Sequence, residues 1–289
     1  MLVALQIFKD LDLCKTFSIP ENKLINWLRK TEGGYNNVPY HNSMHACDVL
    51  QSFHHFLVHG DIMKWISPLE IFASLFSCII HDFKHPGVNN NFLSNTQDAL
   101  AVRYNDKSVL ENYHLAQAFL LLCDESINIL EGLEGTQFAS FRSMCISLVL
   151  VTDMAQHFSF VELVKQKLEA GAMDFENKED RLLAIKLILK CADINNPAKP
   201  LPVVKIWTER VMEEFFHQGD LEKAKGMDVS PLCDRATVSR AKSQMGFINF
   251  VVMPLFEVLC IMIPSVRTKH IQFLKASADY WKSQEKEDE

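Results

Sequence analysis

Apolar residues recur with helical spacing along almost the whole chain, and the period-two alternation of a half-buried strand is scarce. Met44 to His59 puts Val49, Leu50, Phe53, Phe56 and Leu57 on one face before Gly60 stops the pattern. Ile19 to Glu32 has Pro20 in its first turn and Gly33-Gly34 at its end, residues that start and stop helices. Ser67-Pro68-Leu69-Glu70 and Ser108-Val109-Leu110-Glu111 read as capping boxes, with serine and glutamate satisfying free N–H groups at a helix start. They open helices to His81 and Cys123. Further helices are expected over Thr136–Asp153, Ser159–Ala170, Lys178–Cys191 and Pro202–His217, the last closed by Gly219. Asp220–Asp234 reads as an irregular polar loop. A long helix over Ala236–Met262, bent at Pro254, and a last one over Ser265–Trp281 complete the pattern, and the charged tail 282–289 is expected to fray. With no repeat and no Gly/Ser linker, the expectation is an all-α protein, one compact domain of ten or so helices over residues 1–289.

Composition narrows the picture. A chain of 289 residues with 48% hydrophobic content supports a large core. The net charge of −7 argues against a nucleic-acid surface, which is normally basic. Eight cysteines at wide spacing, none in a C-x-x-C pair, imply a reducing compartment, and the expected location is the cytoplasm. Met1–Phe8 is apolar but lacks the basic start and small-residue cleavage site of a signal peptide. The stretch Phe247–Pro264 is interrupted by Asn249, Pro254 and Glu257, which suits a core helix better than a membrane span. Nothing in the pattern assigns an oligomeric state.

Candidate chemistry clusters at five places. The first is His81-Asp82-x-x-His85-Pro86-Gly87, at the end of the apolar run from Ile71 to Ile80. Leaving a buried histidine and aspartate unpaired there is costly, and either a divalent cation or ordinary polar capping would satisfy them. The second is Tyr40-His41-Asn42-Ser43-Met44-His45, where His41 and His45 share a face if both are helical. His55 and His59 have the same spacing without acidic companions, and read as surface or satisfied core. The third is Glu111-Asn112-Tyr113-His114, in which Glu111 doubles as a capping residue; the fourth is Thr152-Asp153; the fifth is Ala192-Asp193 with Asn195-Asn196-Pro197 behind it. Carboxylates are unfavourable at helix C-termini, and Asp82 and Asp193 both end apolar helices, which suggests a cation at each. A His/His/Asp/Asp donor set suits Zn²⁺, and spare carboxylate oxygens suit a harder Mg²⁺ or Mn²⁺. Two such ions could activate water for phosphate-ester hydrolysis.

These motifs, followed in order by Thr152-Asp153-Met154, Glu213-Glu214-Phe215-Phe216, Ser230-Pro231-Leu232-Cys233-Asp234 and Gln244-x-Gly246-Phe247, resemble the class I cyclic nucleotide phosphodiesterases from Phe17 to about Phe256. The resemblance implies an all-α domain of the HD phosphohydrolase type with two metals, and a chain lacking the family's most N-terminal helices. It implies Zn²⁺ on His45, His81, Asp82 and Asp193, with Asp82 bridging to Mg²⁺ (or Mn²⁺). His85, Glu111, His114 and Thr152 would bond the water around that second ion. His41, oriented by Glu111, would protonate the leaving 3′ oxygen. Gln244, Phe247, Val211, Met154, Tyr40 and Asn196 would hold the nucleotide, and Asn196 points to cAMP over cGMP, with dual specificity as the alternative. Glu213 and Glu214 are expected to face solvent or pair locally. Tyr113, where the family commonly has histidine, Lys84, at an often acidic position, and the small Val211 are departures outside the metal ligands.

Two rivals stand beside this reading. Glu111-x-x-His114 and Glu214-x-x-His217, with Glu70 and Glu257, could supply a di-iron helical bundle, but that leaves His41, His45, His81, Asp82 and Asp193 unexplained. A non-catalytic binding protein would need a broken metal or acid position, and each is present.

Overall fold

A computed structural model describes residues 1–288, and Glu289 lies outside the described residues. In chain order the helices are α1 (Leu2–Asp10), α2 (Leu13–Thr16), α3 (Glu21–Gly34), α4 (Ser43–His59), α5 (Pro68–Ile80), α6 (Asn90–Asn95), α7 (Ala99–Tyr104) and α8 (Val109–Leu121). They continue with α9 (Thr136–Leu150), α10 (His157–Glu169), α11 (Lys178–Asp193), α12 (Leu201–Ala224), α13 (Arg240–Phe247), α14 (Met253–Met262) and α15 (His270–Asp288). No strand occurs among the described residues, so the all-α expectation holds.

The organising element is α5. Its capping box is complete, with Ser67 Oγ accepting from Glu70 N and Glu70 Oε2 accepting from Ser67 N. Every residue from Glu70 to Ile80 is buried. A helix apolar on all faces must be enclosed by others, and α4, α9, α8 and α11 pack around it. The core they share runs from Ala4 to Trp281. A smaller apolar cluster, including Val88, Phe92, Ala101 and Val109, packs α6 and α7 against the start of α8.

Several local expectations change. The helix that Gly219 was expected to close runs on to Ala224. A Cβ on Gly219 would sit 1.9 Å from the Cys233 carbonyl oxygen, so the glycine admits a crossing backbone rather than ending a helix. The long helix near Pro254 is interrupted earlier, by a π-turn over Ile248–Val252. The segment Arg240–Met262 is long and apolar enough to cross a membrane by composition, but it packs within the fold on α10, α11 and α15. Ser108 has φ 42° and makes no capping bond; its hydroxyl donates to Asp153 at 2.7 Å. Asn90 caps α8 instead, its Oδ1 accepting from Leu110 N at 2.9 Å. The charged tail continues α15 to Asp288, and its last residue, Glu289, lies outside the described residues.

Candidate active site

Three helix ends meet at one point. The first turn of α4 supplies His45, the turn after α5 supplies His81 and Asp82, and the last residue of α11 is Asp193. The donor atoms of these four residues all lie within 4.8 Å of one another. His45 Nε2 is 3.2 Å from His81 Nε2, 3.3 Å from Asp82 Oδ2 and 3.1 Å from Asp193 Oδ1. His81 Nε2 is 3.0 Å from Asp82 Oδ2 and 3.2 Å from Asp193 Oδ1. Neighbouring donors on one ion, each bonded at about 2.0–2.1 Å, stand about 3.0–3.4 Å apart. The set therefore fits a single divalent cation.

Tautomers and charge agree with that fit. His81 Nδ1 donates to Cys78 O at 3.0 Å, leaving the Nε2 lone pair facing inward. The C-terminal ends of α5 and α11 add negative potential to the two carboxylates. Burial disfavours a charged His81, yet Asp82 and Asp193 outweigh it and raise its pKa well above the imidazole range. Burial likewise opposes ionised Asp82 and Asp193, and the facing His81 reverses the effect, holding both below the usual carboxylate range. The site is built to hold positive charge.

A second group adjoins the first. Asp82, His85 and His114 also bring ligating atoms within 4.8 Å, with Asp82 Oδ1 3.8 Å from His114 Nε2. Asp82 thus turns one oxygen to each group, the geometry of a bridging carboxylate. The two histidines have opposite polarity. His85 Nδ1 accepts from Gly87 N at 3.0 Å, leaving its proton on Nε2, whereas His114 Nδ1 donates to Phe83 O at 2.7 Å. Burial keeps both neutral, holding His85 well below its ordinary pKa and His114 at about 4. The turn that aims His85 includes Lys84 at φ 63°, its carbonyl bonded by Asn36 Nδ2 at 3.1 Å. Gly87 follows at φ 80°, a conformation that favours glycine.

His41 does not share a helical face with His45. It lies two residues before α4, whose N-cap is Asn42, and its ring stacks on His85 at 4.0 Å. Nor is Glu111 its partner. Glu111 accepts from Asn90 Nδ2 at 3.0 Å, and burial raises its pKa to about 7. The partner of His41 is Glu214, which α12 brings inward rather than to solvent. One Glu214 oxygen takes His41 Nδ1, and the other accepts from the backbone N–H of Tyr40 at 2.8 Å and of His41 at 3.0 Å. Burial works against a charged His41, but Glu214, helped by Asp82 and Asp193, raises its pKa to about 9.

The remaining expected residues occupy several elements. Thr152 donates its hydroxyl to Val149 O at 2.8 Å, in the turn that ends α9. Met154 is 44% exposed on the turn before α10. Val211 and Phe247 are half-buried. Gln244 is buried, and its Oε1 accepts from Thr208 Oγ1 at 3.3 Å. Tyr40 donates its hydroxyl to Asn196 Oδ1, and Asn196 Nδ2 donates to Asp48 Oδ2 at 3.3 Å. Asp48 is in turn paired with Lys199. The di-iron set is not assembled: Glu214 holds His41, Glu70 pairs with Arg181 at 3.0 Å, and His217 and Glu257 are exposed.

The family described as 3′5′-cyclic nucleotide phosphodiesterase matches residues 40–273. The chain belongs to that family. It is 43% identical to 3′,5′-cyclic-AMP phosphodiesterase 4C of Mus musculus, over 97% of this chain and 42% of that protein. It is 39% identical to 3′,5′-cyclic-AMP phosphodiesterase, isoform F, of Drosophila melanogaster, over 97% of this chain and 44% of that protein. The chain therefore spans about half the length of the curated relatives it matches. Among solved structures, the phosphodiesterase domain of the RhoPDE fusion protein from the choanoflagellate Salpingoeca rosetta superposes with a TM-score of 0.93 at 33% identity. That likeness covers 97% of this chain and 89% of the other.

Proposed function

We propose that this domain is a metal-dependent phosphodiesterase that opens the 3′ phosphoester of a cyclic nucleotide to give the 5′-monophosphate, with cAMP favoured over cGMP. The observation that carries the reading is the His45, His81, Asp82 and Asp193 donor set facing the Glu214-held imidazole of His41. The four donors would hold Zn²⁺. Asp82, with His85, Glu111, His114 and Thr152 around it, would hold a hydrated Mg²⁺ (or Mn²⁺). When bound, the two cations would neutralise phosphate charge and supply an activated water.

The protein's own residues do the rest. His41, kept protonated by Glu214, donates its proton to the leaving 3′ oxygen. His85 offers a proton on Nε2 and His114 a lone pair, so the two orient water between them. Gln244, held by Thr208, meets the base beside Phe247 and Val211, while Tyr40, Met154 and Asn196 line the remaining wall. The cAMP preference rests on Asn196. With Nδ2 committed to Asp48, the amide presents Oδ1, an acceptor with a lone pair to spare beyond the Tyr40 bond. That edge pairs with the 6-amino group of adenine and opposes the 6-oxo group of guanine. The names of the cyclic-AMP relatives support the same choice. The eight free thiols support a reducing, cytoplasmic setting.

The test is kcat/KM for both nucleotides with Zn²⁺ and Mg²⁺, before and after chelation. The expected result is turnover of both, higher for cAMP, and lost on chelation. Absence of turnover with either nucleotide, or turnover indifferent to chelation, overturns the reading; a higher value for cGMP overturns the preference alone.

A further inference from the structure

Two helical turns beyond His45, α4 borders a pocket of about 280 Å³ that is open to solvent and lined also by the segment after Asp193 and by the start of α15. None of the metal-donor or nucleotide-wall residues lines it. Its volume falls just below the range of about 300–1,000 Å³ usual for small-molecule sites, which restricts it to a small ligand. The wall carries Lys199, Lys269, His55 and His270 and no carboxylate. Lys199 is already committed to Asp48, and Lys269 makes no ion pair among the described residues. The rings of His55 and His270 stand 5.5 Å apart, with Phe273 on the same wall. Asn195, only 2% exposed, also lines the cavity; its Nδ2 donates to Ala192 O, while its buried Oδ1 has no hydrogen-bond partner. An unpaired buried acceptor is costly unless a ligand or water supplies the donor.

We propose that this cavity is a binding site for a small ring-bearing organic anion. Lys269 meets its carboxylate or phosphate, and the imidazole and Phe273 faces pack on its ring. The histidines suit the ring rather than the charge, because burial keeps His55 and His270 neutral. The site is separate from the proposed hydrolysis and stands or falls without it.

The experiment is calorimetric titration of the metal-loaded protein, its substrate cleft saturated with a non-hydrolysable cyclic nucleotide analogue. The probes are 4-aminobenzoate and adenosine 5′-monophosphate, which separate a carboxylate from a phosphate as the preferred head. One saturable site for at least one probe is expected. Lys269→Glu should weaken it by about tenfold or more, the worth of one charge-assisted hydrogen bond, and Lys269→Arg should retain it. Cyclic nucleotide turnover in the same preparations should be unchanged, which shows that both variants are folded. No saturable binding by either probe, displacement of the probe by the analogue, or undiminished binding to Lys269→Glu overturns the proposal.

Discussion

Replacing Glu214 with glutamine isolates what holds the proposed acid in place. The amide keeps the size and can still accept from the Tyr40 and His41 backbone N–H groups, but the charge facing His41 is gone. His41 stands at about 9 against an ordinary 6.5. At about 1.4 kcal/mol per unit, that is about 3 kcal/mol in favour of the imidazolium. Asp82 and Asp193 share in it, a share that bound cations would cancel, and 24% of the side chain is open to solvent screening, so only about half, the part assigned to Glu214, is carried into the metal-loaded enzyme. The sign is fixed by the direction of the shift. A raised pKa keeps the acid form populated until pH climbs through it, so activity is lost on the basic side. Removing Glu214 should move that basic limb of kcat/KM acidward by about one unit, within the range one nearby opposite charge can produce. Turnover near neutrality should fall by about 10²-fold, through lost orientation as well as lost charge. Metal content should remain that of the wild type. The assay is kcat/KM from pH 6 to 10 with zinc analysis, run in parallel on Glu111→Gln. A wild-type profile for Glu214→Gln alongside a shifted one for Glu111→Gln would show that Glu111 orients His41 after all.

The difference between those two glutamates shows what the sequence made legible. Asp82 and Asp193 stand out in the sequence because carboxylates at the C-terminal ends of apolar helices run against helix electrostatics, which a cation would resolve; spacing alone does not single out His45, and the resemblance does. Helix α5 was readable because its cap and unbroken apolar run agree. Glu214 was missed although α12 carried the signal: Val204, Trp207, Val211, Glu214 and Gln218 follow one another at steps of three and four. That spacing puts Glu214 on the inward stripe, whereas its charge taken alone points to solvent. The roles of Ser108 and Gly219 depend on Asp153 and Cys233, residues distant in sequence, so no local pattern could reveal them. Helices α6 and α7 are six residues each, too short to display a period.

Four further outcomes are expected. Asp193→Ala should lose bound zinc, measured by atomic absorption, together with nearly all turnover; full activity would sink the assignment. His41→Ala should lower kcat by about 10²–10⁴-fold with zinc retained, and loss of zinc instead would mean that His41 and His45 have exchanged roles. Gly219→Ala should lower Tm by about 5–10 °C, because the Cys233 carbonyl must move to admit a methyl group; an unchanged Tm would show that the loop yields freely. The last concerns the proposed nucleotide preference, which would depend on a residue outside the proposed nucleotide wall. Asn196 discriminates only if its amide cannot turn over, and Asp48, by accepting from Nδ2, is what prevents the turn. In Asp48→Ala the amide can flip to offer one Nδ2–H to the 6-oxo group of guanine, the Tyr40 hydroxyl accepting the other. One such bond is worth about 0.5–1.5 kcal/mol, so the cAMP/cGMP ratio of kcat/KM should fall by about two- to tenfold. The change should come mainly from a gain with cGMP rather than a loss with cAMP. A ratio that stays at the wild-type value in a folded, zinc-replete variant would mean that the fixed amide of Asn196 does not choose the base.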